Sequence, residues 1–307
     1  MSKKVVLISD PGIDGAFAIA LALYDPELEV VGMLATAGNV SADQATKNVR
    51  IILDQLDPPR WPRLGAAPQV DYGMDGTKLH GPLGLGHTDF PCASLHHLPS
   101  SEKLLVELAR LYPDELIVIC MGPLTVLSRA FDLYPDLAGL LQRIVIVGGS
   151  MHEPGNAGPV SEFHFCCDPE AARRILHCKA TSLTLVPLDV TRKVLYAPTD
   201  LLGGVTELSP AYHFLRQVVP FGIAATSNLY GIEGFHLKDV LGVVAVAFPE
   251  SLHSKHMHVD VETHGDLTRG MSVFDRRYWE KTTPNADVVM EVDAKAVRQY
   301  INRVIGY

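Results

Sequence analysis

Cysteine is scarce in this chain, with five in 307 residues, at Cys92, Cys120, Cys166, Cys167 and Cys178. The number is odd, no two form a CxxC pair and none is regularly spaced with histidine, which argues against a disulfide framework and a structural zinc site. Long apolar runs are missing too. No segment approaches the roughly 20 residues that a membrane span requires. Basic residues are outnumbered, 26 Lys and Arg against 35 Asp and Glu, for a formal charge of −9. A nucleic-acid polymer needs a basic stripe and none is present, so small molecules remain as partners. There is no GxxxxGK[ST] loop for a triphosphate, and SDPGIDG lacks the three-glycine spacing of a dinucleotide site. Repeats, low-complexity stretches and Gly/Ser linkers are also missing, so one domain over 1–307 is expected. The opening MSKKVVLISDPG runs from two lysines into a strand-like segment with too few apolar residues for a signal sequence, so a cytoplasmic location is expected.

What is present is a chain that is 47% hydrophobic, enough for a sizeable core. Short β-branched runs alternate with helical patterns, which predicts an α/β fold with a mostly parallel open sheet flanked by helices. Strands are expected at Val5–Ile8, Val30–Leu34, Leu116–Cys120, Ile144–Val147 and Leu183–Leu188. Ser41 is suited to cap a helix with Gln44 reaching back, and Asp168-Pro169 to start another. Leu104, Leu105, Leu108 and Leu111 share one helical face. Between Tyr196 and Phe235 the pattern becomes more helical and less regular, which predicts an excursion placed as a lid. A late helix from Asp239, alternation at Met257, Val259 and Val261, and a final helix from Ala294 complete the chain. Most of the thirteen histidines stand singly, and His96, His97, His253 and His256 read as solvated.

In open parallel sheets ligands bind beyond the carboxyl ends of the strands. Those positions hold Asp10-Pro11-Gly12-Ile13-Asp14, Thr36-Ala37-Gly38-Asn39, Met121-Gly122-Pro123-Leu124-Thr125 and Gly148-Gly149, followed by Asn156 and Glu162-Phe163-His164. Each has an ordinary reading as well. Asp10 or Asp14 could cap the first helix, Asp239 its own and Thr125 another, and Asn39 could take a left-handed turn position. Gathered in one pocket, however, such carboxylates repel unless a cation or a polyhydroxyl ligand uses them.

Several segments carry a family resemblance in chain order. SDPGIDGAFAIA is similar to the DTDPGxDDAxA signature of the inosine-uridine-preferring nucleoside hydrolases. The likeness continues through AGNVSADQATKN, LHGPLGLG, MGPLTVLSRA, IVIVGGSMHEPGNAGPVSEFHFCCDPEAA, VPLDVT, the segment around Lys238-Asp239 and VETHGDLTRGMSVFDRR. It implies a Rossmann-like nucleoside hydrolase fold and hydrolysis of the N-glycosidic bond of ribonucleosides through an oxocarbenium-like state. It also implies a calcium ion, with Asp10, Asp14, Asp239 and the Thr125 carbonyl around it and Asp10 activating water. Asp14, Asn39, Asn156, Glu162 and His164 would meet the sugar, with His80 at the rim or simply packed. A homodimer or homotetramer is implied as well.

The departures from the family pattern are specific. Ile8 and Gly15 replace two aspartates, His164 replaces an asparagine, Lys238 a histidine and Leu83 an aspartate. Calcium takes roughly 6 to 8 oxygens, and Gly15 supplies none from a side chain. Lys238 could supply positive charge beside Asp239 or hydrogen-bond the departing base, or it could be solvated. The alternative reading is a catalytically impaired ribosyl-binding protein. An aspartyl phosphatase is poorly supported, because Gly12 stands where a second Asp would be expected. Tyr212, Phe214, Phe221 and Tyr230 could stack on a base, though such spacing usually marks core, and Glu170 with Arg173 reads as a surface pair.

Overall fold

In the computed structural model the described residues are 2–95, 97–178, 182–203, 210–277, 279 and 282–305. His96 and the 204–209 part of the helical excursion lie outside them. The first half runs β1 (Lys3–Ser9), α1 (Ile13–Tyr24), β2 (Leu28–Ala35), α2 (Ala42–Leu56), β3 (Arg63–Gly65), α3 (Thr77–His80), α4 (Ser101–Leu111), β4 (Leu116–Met121), α5 (Thr125–Leu133) and β5 (Leu141–Val147). There follow α6 (Phe163–Cys167), α7 (Pro169–Leu176), β6 (Leu183–Val186), α8 (Leu188–Thr191), β7 (Leu195–Tyr196), α9 (Pro198–Gly203), α10 (Pro210–Tyr230) and β8 (Phe235–His236). The chain closes with α11 (Val240–Ala247), β9 (Leu252–Met257), β10 (Val259–Val261), β11 (Ser272–Phe274), β12 (Ala286–Val292) and α12 (Ala294–Ile305).

Eight strands form the main sheet in the order β3-β2-β1-β4-β5-β6-β12-β9, every pair parallel except β12 with β9. Both faces are covered, as a parallel sheet demands. In β1, Val5 and Leu7 join one apolar cluster and Val6 and Ile8 the other, so successive side chains feed opposite layers. From β1 the chain winds outward through β2 and later through β4 in the other direction. That switch opens a crevice at the carboxyl ends of β1 and β4.

The local signals act as chemistry requires. Ser41 Oγ accepts the Gln44 N–H at 3.4 Å, but the Gln44 amide turns forward to Asn48 Oδ1 at 2.9 Å instead of closing a capping box. Asp168 accepts the Ala171 N–H at 3.0 Å with Pro169 in the first helical turn. The strand expected at Leu183–Leu188 ends at Val186, because Pro187 has no N–H to give, and Leu188 opens α8. Met257 ends β9, whereas Val259 and Val261 belong to a separate pair with β11. Asn285 makes that break tolerable by accepting the Val259 N–H at 2.8 Å and donating to its carbonyl at 2.9 Å. Glu170 and Arg173 are surface groups but not partners: Glu170 pairs with Arg269 at 3.2 Å and Arg173 with Asp260 at 3.0 Å. His97, His253 and His256 are exposed.

The described part of the 196–235 excursion is largely helical, and antiparallel pairing of β7 with β8 (Leu195 with His236, Tyr196 with Phe235) joins its two ends. Tyr212, Phe214, Val218 and Val219 of α10 are buried, and the helix packs against α1, α2 and α3. No helix among the described residues is long and apolar enough to cross a membrane.

Candidate active site

Asp10 follows β1 at the crevice and is completely buried. Its Oδ2 accepts the main-chain N–H of Asn39 at 2.9 Å, and the Asn39 side chain donates to the Asp10 carbonyl at 2.9 Å. Asn39 does not have the positive φ of a left-handed turn; it holds the aspartate. Gly38 permits this contact, since a Cβ there would overlap Asp10 Oδ2. Gly122, just beyond β4, is also near, with a Cβ position 3.0 Å from Asp10 Oδ1. That Oδ1 has no hydrogen-bond partner in the protein. Burial, the chief cause, pushes the Asp10 carboxyl up to about 7.

A ring of polar side chains surrounds this group. His164 is buried, with Nδ1 2.9 Å from the Val147 carbonyl, Nε2 3.7 Å from Asp10 Oδ1, and Glu162 Oε1 3.8 Å from Nδ1. Glu162 caps α6, its Oε2 accepting the N–H groups of Gly149 and Phe165, each at 3.2 Å. Asn156 Oδ1 accepts the Phe163 N–H at 2.8 Å. Asp14, in the first turn of α1, is buried with an unpartnered Oδ1. His80 Nδ1 accepts the Ile13 N–H at 3.1 Å and lies 3.8 Å from Asp14, and its ring fills the space left by Gly12. Burial drives His80 down to about 4, so the ring is neutral.

Asp239 stands before α11 without capping it, and burial followed by repulsion from Asp14 raises its carboxyl well above the usual range. A cavity of about 190 Å³ is lined by Asp14, Asn39, His80, Asn156, Glu162, His164, Lys238 and Asp239, and Asp10 adjoins it with Oδ1 3.7 Å from His164 Nε2. Asp75, Lys78, Leu79, Thr191, Leu229 and Tyr230 also line it. Of the four aromatics considered for stacking, Tyr230 alone reaches the cavity.

Thr125 does not join them. As the first residue of α5 its carbonyl lies along the helix ladder, while its hydroxyl donates to Asp168 and accepts from Tyr72 OH at 2.7 Å. The main chain that reaches Asp10 from β4 is Gly122. Ile8 is a core residue on β1, and Leu83 is exposed, its carbonyl accepting from Asn48 at 2.8 Å. The only sequence signal for Asp75 and Lys78 is their position just before His80, itself expected at the rim or simply packed.

Carboxyls, amides and imidazoles around a small cavity at the switch point of a parallel sheet define an α/β enzyme acting on a small polyhydroxyl molecule. Residues 5–299 match the family model described as inosine-uridine preferring nucleoside hydrolase. The chain is 30% identical over 300 residues to the inosine-uridine preferring nucleoside hydrolase of Leishmania major, covering 95% of this chain and 94% of that one. It is likewise 30% identical over 308 residues to the non-specific ribonucleoside hydrolase RihC of Escherichia coli, covering 100% and 99%. The solved structure of a plant nucleoside hydrolase, PpNRh1, superposes with a TM-score of 0.91 at 26% identity, covering 100% and 99%. The chain therefore belongs to the inosine-uridine preferring nucleoside hydrolase family.

Proposed function

We propose that this protein hydrolyses the N-glycosidic bond of ribonucleosides, with Asp10 as the base that takes a proton from the attacking water. The supporting observation is the Asp10 carboxylate, fixed on one oxygen by Asn39 and left without a protein partner on the other. As the oxygen of water bonds to C1′, its proton passes to Asp10; the C1′–N bond breaks with its electron pair leaving on the base, which then takes up a proton. Asp14, Asn156 and Glu162 line the wall where ribose hydroxyls would sit, and negative charge there favours the oxocarbenium character of the sugar. Lys238, half-buried on the same wall, is placed to hydrogen-bond the departing base. His80 would pack at the rim. The 196–235 excursion serves as a lid, with Leu229 and Tyr230 at its inner end.

Calcium is the ion that the resemblance implies, and the acidic residues here fit it poorly. Among the described residues, the one set of three His, Cys, Asp or Glu side chains with ligand atoms within 4.8 Å of one another is His177, His258 and Asp260 on the surface. Asp10, Asp14 and Asp239 do not converge in this way, and the Thr125 hydroxyl is engaged with Asp168.

Incubation with inosine, uridine, adenosine and cytidine should release free ribose, and Asp10→Asn should abolish the release. The impaired ribosyl-binding alternative draws support from Gly15. Saturable nucleoside binding in calorimetry without ribose release would establish it in place of the enzyme. A homodimer or homotetramer belongs to the same proposal, and light scattering on the purified protein decides it.

A further inference from the structure

Resting on the hydrolase reading above, we infer that Asp189 in α8 and Arg192 at its end are positioning residues: they hold the loop between β5 and α6 so that the Asn156 amide meets the ribose. The loop needs support from outside. Its 153–159 stretch, Glu-Pro-Gly-Asn-Ala-Gly-Pro, combines prolines that have no N–H with glycines that are free to move. Within it the Gly155 N–H donates to the Pro159 carbonyl at 3.0 Å, and the N–H groups of Asn156 and Ala157 both donate to the Ser161 carbonyl at 3.1 Å. The turn is tight enough that a Cβ on Gly155 would stand 2.3 Å from the Gly158 carbonyl oxygen and 2.4 Å from that of Ser161. These bonds use the N–H groups of the turn and leave the carbonyls of Pro154 and Gly155 for other donors.

Those donors come from the α8 side. Arg192 donates to the Pro154 carbonyl and to Glu153 Oε2, each at 2.9 Å, and at 3.5 Å to the Gly155 carbonyl. Asp189 accepts the Met151 N–H at 2.7 Å on one oxygen and the His152 N–H at 2.8 Å on the other. The Leu188 N–H donates to the Gly149 carbonyl at 2.9 Å. One short helix thus grips the loop almost continuously from Gly149 to Gly155. The same helix lines the cavity through Leu188 and Thr191, so the loop and that part of the wall are fixed to a single element.

Asn156 is where this arrangement reaches a ligand. Its Oδ1 is occupied by the Phe163 N–H at 2.8 Å, while its NH2 has no protein partner among the described residues. Two donors on the cavity wall are therefore left for sugar hydroxyls. Such a donor must stand within about 3 Å of its acceptor, and slack in the loop would lose that contact.

A double-mutant cycle on the intact protein tests this. Asn156→Ala should lower kcat/KM for ribonucleosides about 10-fold, and Arg192→Met and Asp189→Ala should each lower it about 3- to 10-fold. Because the clamp acts through Asn156, adding Arg192→Met to Asn156→Ala should cost less than about twofold more. Arg192→Lys should recover part of the loss, since an ammonium lacks the fork that serves several acceptors at once. Amide exchange at Asn156 and Ala157 should quicken in Arg192→Met while exchange in β4 stays as it was. Full additivity of the two substitutions, unchanged kcat/KM in Arg192→Met, or unchanged exchange in the loop would overturn the inference. If no nucleoside is cleaved, the hydrolase reading fails by itself, and the same cycle read as nucleoside Kd in calorimetry, together with the exchange, still decides whether the clamp acts through Asn156.

Discussion

Replacing Asp10 by asparagine should make the protein more stable and inactive, with the stability gain growing as pH rises. The carboxyl titrates at about 7 in the folded chain against an ordinary 3.8, because burial disfavours its charge. A raised acid binds its proton more tightly when folded, so its contribution favours the fold fully below about pH 4 and is lost as pH climbs through about 7. The gap between 3.8 and 7 corresponds to about 4 kcal/mol, of which about 3 kcal/mol falls between pH values near 5 and 8. Asparagine is isosteric, keeps an oxygen for the Asn39 N–H and has no charge to bury. The attraction between Asp10 and His164 is already contained in that value, so the gain of about 3 kcal/mol is net of it. Scanning calorimetry of both proteins should show the mutant's advantage in Tm rising by up to roughly 5–10 °C between those two pH values. A difference that stays flat or shrinks with increasing pH would refute the burial argument, whatever the activity.

The pH profile of kcat/KM should be bell-shaped, rising as Asp10 loses its proton near 7 and falling as His164 loses its own near 9; a plateau through both limbs would contradict the assignment. Gly38→Ala should cost roughly 10²-fold or more in kcat, read in the ribose assay, because the new methyl displaces Asp10. Thr125→Val should lower stability by about 1–3 kcal/mol in urea melts through the lost Asp168 and Tyr72 bonds while leaving nucleoside KM unchanged. Tyr230→Ala should raise KM about 2- to 10-fold with little change in kcat, as expected for one lost stacking contact measured in steady-state kinetics.

Periodicity and turn chemistry made the central strands and the caps at Ser41 and Asp168 readable, because both depend on neighbours in sequence. They failed where a distant group decides. Nothing local says that Asn285 will stand in for a strand partner beside Val259, or that β12, starting at Ala286, will insert between β6 and β9. Pro187 carries a local signal and ends β6 at Val186, although the apolar run continues past it to Leu188. At the site, position after a strand was enough to nominate Asp10, Asn39 and, a little further on, Glu162, and position at a helix start nominated Asp239. What could not be read was direction. Thr125 follows the right strand, but the helix starting there turns its carbonyl along the axis and its hydroxyl to Asp168. The surroundings of His164 were equally hidden, since Val147, Asp10 and Glu162 meet around its ring from separate parts of the chain.

The cavity draws its wall from Asp14 near the start of the chain and from Asp239 beyond the sixth strand of the main sheet. No contiguous fragment owns the pocket, and it exists only once the winding of β1 through β6 and the packing of α11 are complete. Occupancy must therefore couple to global unfolding and not to local opening. A nucleoside that binds should slow hydrogen exchange in strands far from the crevice as well as in the residues it touches.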